Sequence, residues 1–234
     1  MLAWRGDRLV GGDLWQVDLD GDTTRLTSNE DSAVSRSGTV TDTGTALFTN
    51  DYFVDGLGSG SSDLSEITEF NPETNELAVL YESENFIWDT ARWTDGTLVW
   101  AQSRGSGRTL AMRPAGDTTP EYFVEGGELT HLPEQNRVAV ATRNYETGGV
   151  EVVAVGAGGV ELGRTIFDGD HARVLAWSPN GEQLLVVDHD EVGDPAVMSI
   201  FDLQSGSVNE LLRFDDDVFG PDVTAIWGPV TSNQ

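Results

Sequence analysis

Residues 173–188, RVLAWSPNGEQLLVVD, constrain the fold of this chain more than any other stretch. Two apolar runs, 174–177 and 184–187, lie on either side of the sequence Ser-Pro-Asn-Gly. Proline presets one φ angle of a turn, and Asn-Gly readily supplies a positive φ. Short apolar runs bounded by turn residues are typical of buried strands. The stretch therefore predicts two strands joined by a tight turn.

Two further strands are expected after this pair. Residues 197–203 form a third apolar run, and residues 208–212 form a fourth after the turn Gln-Ser-Gly. A meander of four strands with W-S-P-N-G after its first strand resembles one blade of a β-propeller of the WD40 and TolB-like kind. The resemblance implies a ring of four-stranded antiparallel blades. It also implies that function is carried by loops on a rigid scaffold.

The first-strand anchor of this blade recurs along the chain. Equivalent positions follow one another at intervals of roughly 40–50 residues, which is the period of propeller repeats. The anchors are Val40, Trp93, Leu132, Trp177 and Trp227. Five anchors predict a single all-β domain, 1–234, folded as a five-bladed β-propeller. Its blades are expected at 1–28 plus 222–230, 34–82, 86–125, 127–168 and 172–214.

Both ends of the sequence are expected in the same blade. The N-terminal segment supplies three strands, and residues 223–230, VTAIWGPV, match the first strand of the fifth blade in their Trp-x-Pro. This C-terminal strand is therefore predicted to complete the N-terminal blade and close the ring, which removes an open sheet edge. A β-sandwich or another two-sheet fold is the alternative, and the repeat argues against it.

The acidic composition limits the possible partners. The 234 residues include 40 Asp plus Glu and 13 basic residues, all of them arginine, for a net charge of −27. Such a surface repels itself in dilute buffer, whereas molar salt shortens the Debye length to about 3 Å. The composition resembles that of proteins from salt-in halophiles. Nucleic acid and anionic membranes are not expected as partners, because both would be repelled.

Sequence signals for a metal, a cofactor or a membrane segment are missing. The chain has no cysteine, and its three histidines are scattered, so we expect no metal and no cofactor. The first residues do not resemble a secretory leader, and no run of about 18 apolar residues could span a membrane. We expect a location in the cytoplasm or in a virion.

A mixed ring of charges is expected at one mouth of the propeller channel. Four residues before each anchor, the first strands carry Arg36, Asp89, Glu128 and Arg173, with Asp222 beside the fifth position. Such a ring could hold a polar ligand. It could equally consist of ion pairs between blades, because buried charges need partners.

The remaining features favour recognition. The seven tryptophans are expected mainly as core packing between blades. The long Gly/Ser-rich segment 50–63 is the best candidate for a contact with a partner. We expect a recognition or scaffold module that binds a protein or a surface glycan, either inside a cell or as a spike or attachment component of a virion.

Catalysis is not expected from the sequence. There is no G-x-S-x-G motif and no phosphate-binding glycine loop before a helix. The carboxylates Asp89, Glu128 and Asp222 could serve as in five-bladed glycoside hydrolases, but the two arginines of the same column would neutralise them. The sequence therefore predicts no enzyme activity, with a glycoside hydrolase-like propeller as the alternative.

Overall fold

The computed structural model describes residues 2–7, 11–17, 22–26, 33–41, 43–53, 64–104, 107–126, 128–143, 148–169, 171–189 and 195–214. Most of these residues lie in β-strands, and two single 3₁₀ turns are present at Pro133–Gln135 and Ala157–Gly159. Within these ranges, no helix is long and apolar enough to cross a membrane.

Nineteen strands lie in the described part of the chain. The first eleven are β1 (Leu2–Asp7), β2 (Gly11–Val17), β3 (Thr23–Arg25), β4 (Ala33–Val40), β5 (Ala46–Tyr52), β6 (Leu64–Asn71), β7 (Glu76–Ser83), β8 (Ile87–Arg92), β9 (Leu98–Arg104), β10 (Gly107–Arg113) and β11 (Glu121–Glu125). The others are β12 (Glu128–Leu132), β13 (Arg137–Arg143), β14 (Val150–Val155), β15 (Glu161–Phe167), β16 (His171–Trp177), β17 (Gln183–His189), β18 (Ala196–Asp202) and β19 (Val208–Phe214).

The chain divides into two compact units, Met1–Phe123 (unit 1) and Val124–Gln234 (unit 2). In unit 1, β1–β7 form a seven-stranded sheet, and β8–β11 form a four-stranded sheet whose last strand reaches the start of unit 2. Unit 2 contains the four-stranded sheets β12–β15 and β16–β19. Every neighbouring pair within β4–β7, β12–β15 and β16–β19 is antiparallel, as predicted.

The first three strands share a sheet with the four that follow. Strands β1 and β3 each pair antiparallel with β2, and a single parallel pair, Gly12 with Val34, joins β2 to β4. Five separate sheets are therefore not seen among the described residues. The predicted closing strand, 223–230, lies outside those residues, so the count of five blades and the ring closure stay predictions.

The turn after the first strand of each meander is a repeated element. In three of these turns a glycine amide donates to the carbonyl three residues earlier, at 3.0, 2.9 and 2.8 Å for Gly44, Gly96 and Gly181. These glycines have φ angles of 81°, 85° and 71°, and Asn136 has φ 53° before β13. Glycine adopts such angles at little cost, and asparagine tolerates them better than most residues. In the Ser-Pro-Asn-Gly turn, the positive φ belongs to Gly181.

Each unit has its own apolar core. In unit 1, Leu47 and Ile67 of the seven-stranded sheet pack with Ile87, Trp100 and Ala111 of the β8–β11 sheet. Full burial of side chains of this size contributes about 2–3 kcal/mol each. The two sheets of unit 1 are therefore held face to face by the middle of their strands.

In unit 2, the two sheets are joined by hydrogen bonds as well as by apolar contact. Trp177 is buried in the core, and its Nε1 donates to the carbonyl of Thr130 at 2.7 Å. The hydroxyl of Thr130 donates in turn to the carbonyl of Val174 at 2.7 Å. Trp177 is thus a packing residue, as expected from the sequence.

Candidate functional site

Four of the five predicted site residues lie on strands that begin a four-stranded meander. These residues are Arg36 on β4, Asp89 on β8, Glu128 on β12 and Arg173 on β16. Strand β4 packs against β8 in unit 1, and β12 packs against β16 in unit 2. The fifth residue, Asp222, lies outside the described residues, as do the side chains of Arg36 and Glu128. The predicted ring of charges stays a prediction.

Asp89 occupies an irregular position in its strand. It lies in a bulge between Trp88, which pairs with Ala101, and Thr90, which pairs with Trp100. Its φ is 31°, which short acidic side chains tolerate better than most. Its side chain is half-buried. Bulges re-aim single side chains and are common beside functional sites. The role of Asp89 in a site stays a prediction.

Buried polar side chains concentrate at the end of unit 1 where β4, β6 and β8 begin and β5 and β7 end. We call this region the polar end of unit 1. Its buried polar residues are Ser35, Thr49, Asn50, Asp51, Ser65, Glu66, Thr68 and Ser83. Burying polar groups is costly unless they are hydrogen-bonded. The contacts they make therefore decide how this region is held together.

On the face of the sheet that carries Phe48, Asn50 is the central group. Its Oδ1 accepts a hydrogen bond from the hydroxyl of Ser35 at 2.6 Å, and its Nδ2 donates to the hydroxyl of Thr68 at 3.3 Å. Asn50 also lies directly across from Glu66 on β6. One amide thus links β4, β5 and β6 at their polar ends.

On the opposite face, Asp51 joins the two sheets of unit 1. The hydroxyl of Ser65 donates to Oδ1 of Asp51, and the same hydroxyl accepts the backbone amide of Ile87 on β8 at 3.4 Å. Both Asp51 and Ser65 are fully shielded from solvent. The buried carboxylate is thus linked through Ser65 to the first residue of β8, two residues before the Asp89 bulge.

Tyr52 and Glu66 form a pair at the outer limit of the polar end. The hydroxyl of Tyr52 donates to Oε2 of Glu66 at 3.0 Å. Burial raises the pKa of Glu66, and the hydrogen bond from Tyr52 opposes that rise. Burial, together with Glu66, raises the pKa of Tyr52 to about 12. The pair therefore provides a carboxyl that holds a proton more readily than an exposed glutamate does.

A second chain of contacts runs along the β8–β11 sheet. The indole Nε1 of Trp100 donates to Oε1 of Gln102 at 2.8 Å, and Nε2 of Gln102 lies 3.4 Å from the hydroxyl of Tyr122. The rings of Tyr81 and Trp100 lie with centroids 4.5 Å apart. Burial, followed by a hydrogen bond with Tyr122, raises the pKa of Tyr81 to about 12. These contacts fix the half-exposed ring of Tyr122.

Arginines lie over three aromatic rings of unit 1. The guanidinium of Arg108 is 4.2 Å from the ring centroid of Trp88, and that of Arg104 is 4.4 Å from the ring of Tyr122. Arg113 lies 5.8 Å from Tyr81. The ring of Phe86 packs on Trp88 with centroids 4.6 Å apart. The polar end of unit 1 thus combines hydrogen-bonding groups, aromatic rings and positive charge.

The histidines of unit 2 are arranged differently. His131 has both ring nitrogens shielded from solvent and without a hydrogen-bond partner among the described residues, and burial lowers its pKa to about 4. His171 is exposed, and its ring stacks on that of His189 with centroids 5.0 Å apart. No group of three metal-binding side chains is found in the described ranges.

Sequence reasoning missed most of the polar end. The sequence predicts residues 50–52 as part of the contact loop 50–63, whereas they are the last residues of β5 and their side chains are mostly buried. The signal was the run Thr-Asn-Asp at the end of an apolar strand. A polar run there is equally typical of a solvated strand end, so burial could not be inferred from it. The rest of the predicted contact segment, 54–63, lies outside the described residues.

No protein-family model and no curated protein matches this sequence. Solved structures do match its fold. TolB from Acinetobacter baumannii has 16% identity and a TM-score of 0.60, over 86% of this chain and 49% of that one. Oligogalacturonate lyase from Vibrio parahaemolyticus has 8% identity and a TM-score of 0.56, over 90% and 62%. Oligopeptidase B from Leishmania major has 13% identity and a TM-score of 0.61, over 92% and 32%.

These similarities define the class of protein. The chain has a β-propeller fold, similar to that of TolB. It spans about half the length of TolB and less than two thirds of the other two structures. At such low identities the similarity is one of fold.

The expectation that this chain is not an enzyme is contradicted by the comparisons. Several of the matching structures are enzymes, and besides the lyase and the peptidase they include a puromycin hydrolase and a periplasmic gluconolactonase. The prediction failed because it treated missing sequence motifs as evidence against catalysis. In a repeat fold, catalytic groups come from separate strands and need no contiguous motif.

Proposed function

We propose that this β-propeller binds a glycan at the polar end of unit 1. The proposal is carried by one observation: partly exposed aromatic side chains at this end are each held by a hydrogen bond or a ring contact with a neighbouring side chain. Tyr52 is held by Glu66, Tyr122 by Gln102, and Trp88 by Phe86. Sugars are bound by aromatic rings that cover their C–H faces and by carboxylate, amide and hydroxyl groups that bond their hydroxyls.

Binding to an array of oligosaccharides in molar salt, followed by calorimetry on the positive ligands, tests this proposal. Trp88→Ala should weaken binding about tenfold or more, because it removes a half-buried ring next to Asp89. The control is Trp15→Ala, which removes another half-buried tryptophan of unit 1 on β2. An array without any bound glycan, or equal affinities for both variants, would contradict the proposal.

Cleavage of the bound glycan is the second candidate function. The raised pKa of Glu66 favours it, because a carboxyl that keeps its proton can act as a general acid. Asp89, half-buried on β8 of the other sheet of unit 1, is the candidate for the second carboxylate. The enzymes among the matching structures support a propeller with catalytic groups in general.

Release of reducing ends from the bound glycan measures this activity. Glu66→Gln keeps an acceptor for Tyr52 and removes the proton, so it should lower turnover while leaving binding nearly unchanged. Asp89→Asn is expected to lower turnover as well. A parent protein that binds the glycan without releasing reducing ends would exclude cleavage and leave the binding proposal intact.

A ring of five blades closed by the C-terminal strand remains part of the proposal. It is supported by the three antiparallel strands β1–β3, which lack the first strand that the other meanders have. The Trp-x-Pro match of residues 223–230 supports it further. Deletion of residues 222–234 should then expose a sheet edge and lower the midpoint of urea unfolding strongly. An unchanged midpoint would contradict closure.

The setting is proposed to be salt-rich, in the cytoplasm or on a virion, where the propeller would serve recognition or host attachment. The charge of −27 supports this setting, since only concentrated salt screens it well. Circular dichroism during dialysis from molar to millimolar salt should show loss of strand structure. Full retention would contradict a salt-adapted protein, and co-purification with virions would separate the two locations.

A further inference from the structure

The hairpin between β9 and β10 carries two arginines close to its tip. Arg104 is the last residue of β9 and pairs with Gly107, whereas Arg108 pairs with Ser103. The side chains of adjacent cross-strand pairs point to opposite faces of a hairpin, so Arg104 and Arg108 lie on opposite faces. Both are exposed, and each lies over an aromatic ring, Tyr122 for Arg104 and Trp88 for Arg108.

Three other arginines of the described residues make ion pairs. Arg92, Arg164 and Arg213 each form an ion pair with a glutamate, at 2.7 to 3.0 Å. No described carboxylate lies within ion-pair distance of Arg104, whose guanidinium instead covers the ring of Tyr122. In a chain with three times as many acidic as basic residues, an exposed arginine over a ring is an unusual local positive charge.

A guanidinium that lies on an aromatic ring still has its N–H groups free in its own plane. It is held in place by the ring and can donate two parallel hydrogen bonds to a carboxylate. The ring beside it can cover the C–H face of a sugar. A long polyanion such as nucleic acid would be repelled by the charge of −27, whereas a short ligand with few carboxylates would not be.

We propose that Arg104, at the end of β9, binds the carboxylate of a carboxylated sugar. The inference rests on the proposed function, because it names the class of glycan that the polar end of unit 1 recognises. Arg104 supplies the bidentate contact on one face of the hairpin, with Tyr122 as its platform.

The test compares two matched probes by calorimetry in molar salt. One probe is a hyaluronan tetrasaccharide, and the other is its carboxyl-reduced form, in which hydroxymethyl groups replace the carboxylates. The parent protein should bind the charged probe about tenfold or more tightly than the reduced one, as expected for a charge-assisted pair of hydrogen bonds. Arg104→Gln should abolish this preference, and Arg104→Lys should restore it only in part.

The matched control is Arg213→Gln, which removes an exposed arginine that is paired with Glu210 on β19. This variant should keep the full preference for the charged probe. Equal binding of both probes by the parent, or an unchanged preference in Arg104→Gln, overturns the inference. In either case, binding of a neutral glycan that depends on Trp88 would leave the proposed function standing, and absence of all glycan binding would remove both.

Discussion

The same position in two sheets of this protein is polar in unit 1 and apolar in unit 2. β5 and β13 are each the second strand of their meander. Asn50 is the fifth residue of β5, and Ala141 is the fifth residue of β13. Asn50 faces Glu66 across the sheet, whereas Ala141 faces Val152. All four positions are buried. Equivalent backbones thus carry opposite side-chain chemistry.

The difference has an energetic meaning. Ala141 and Val152 belong to the apolar core of unit 2 and stabilise it by leaving water. Asn50 and Glu66 gain little stability, because their hydrogen bonds mainly offset the loss of contacts with water. Buried polar residues at positions where the fold also accepts apolar ones therefore lower the stability of the folded chain. Such losses of stability are common at functional sites.

The largest expected effect comes from moving the polar residue into unit 2. Val152→Glu places a carboxyl in an apolar core without partners and should cost about 4 kcal/mol or more of unfolding free energy. Val152→Ala, the control, should cost about 2 kcal/mol, because it only leaves a small cavity. Urea unfolding in molar salt, followed by tryptophan fluorescence, measures both. Equal losses would show that polarity at this position does not matter.

The stability of unit 2 should depend on pH through a buried histidine, His131. Burial lowers the pKa of His131 to about 4 in the folded chain, from 6.5 for an exposed histidine. Between these values the unfolded chain binds more protons, so stability falls as the pH falls from about 6.5 to about 4, by at most about 3 kcal/mol. His131→Leu should flatten this part of the pH profile. The exposed His171→Leu should not, and a similar profile for all three proteins would contradict the assignment.

Removing the side-chain amide of Asn50 should have a moderate effect on stability. Asn50→Ala takes away the acceptor for Ser35 and the donor to Thr68, and should cost about 2 kcal/mol of unfolding free energy. Asn209→Ala on β19 is the control, because Asn209 is exposed and should change stability by less than about 0.5 kcal/mol. If the two variants lost the same stability, the network around Asn50 would not be a structural element.

The smallest effect is expected at Glu66. Its folded pKa lies above 4.5, so the folded chain holds the proton more tightly than the unfolded chain does. Stability contributed by this group is therefore lost as the pH rises above about 4.5, which is opposite to the response at His131. Glu66→Gln should raise the unfolding free energy near neutral pH by less than about 1 kcal/mol. A variant less stable than the parent at neutral pH would contradict a raised pKa.

Much of the fold could be predicted because its signals are local. The Ser-Pro-Asn-Gly turn, the short apolar runs and their recurrence each depend on a few neighbouring residues. The structure shows the same turn at Gly44, Gly96 and Gly181, and four-stranded antiparallel sheets built on it. The buried tryptophans Trp93, Trp100 and Trp177 agree with the expectation of core packing.

The candidate site could be predicted only in part. Asp89 was placed on a first strand from the repeat, but its bulge and φ of 31° depend on pairing with β9. The contacts of Asp51 and Ser65 with β8 join residues far apart in sequence, and no local pattern indicates them. The stacking of Arg104 on Tyr122 likewise requires the fold of the β8–β11 sheet.

The sequence by itself determined the strands, the turns between them, the propeller class and the strong negative charge. Each of these depends on chemistry within a repeat or on composition. Only the tertiary structure decided which polar residues are buried, which arginines lie on rings and which carboxyl keeps its proton. These properties depend on how sheets pack face to face, because burial and hydrogen bonding are set by residues that are distant in the chain.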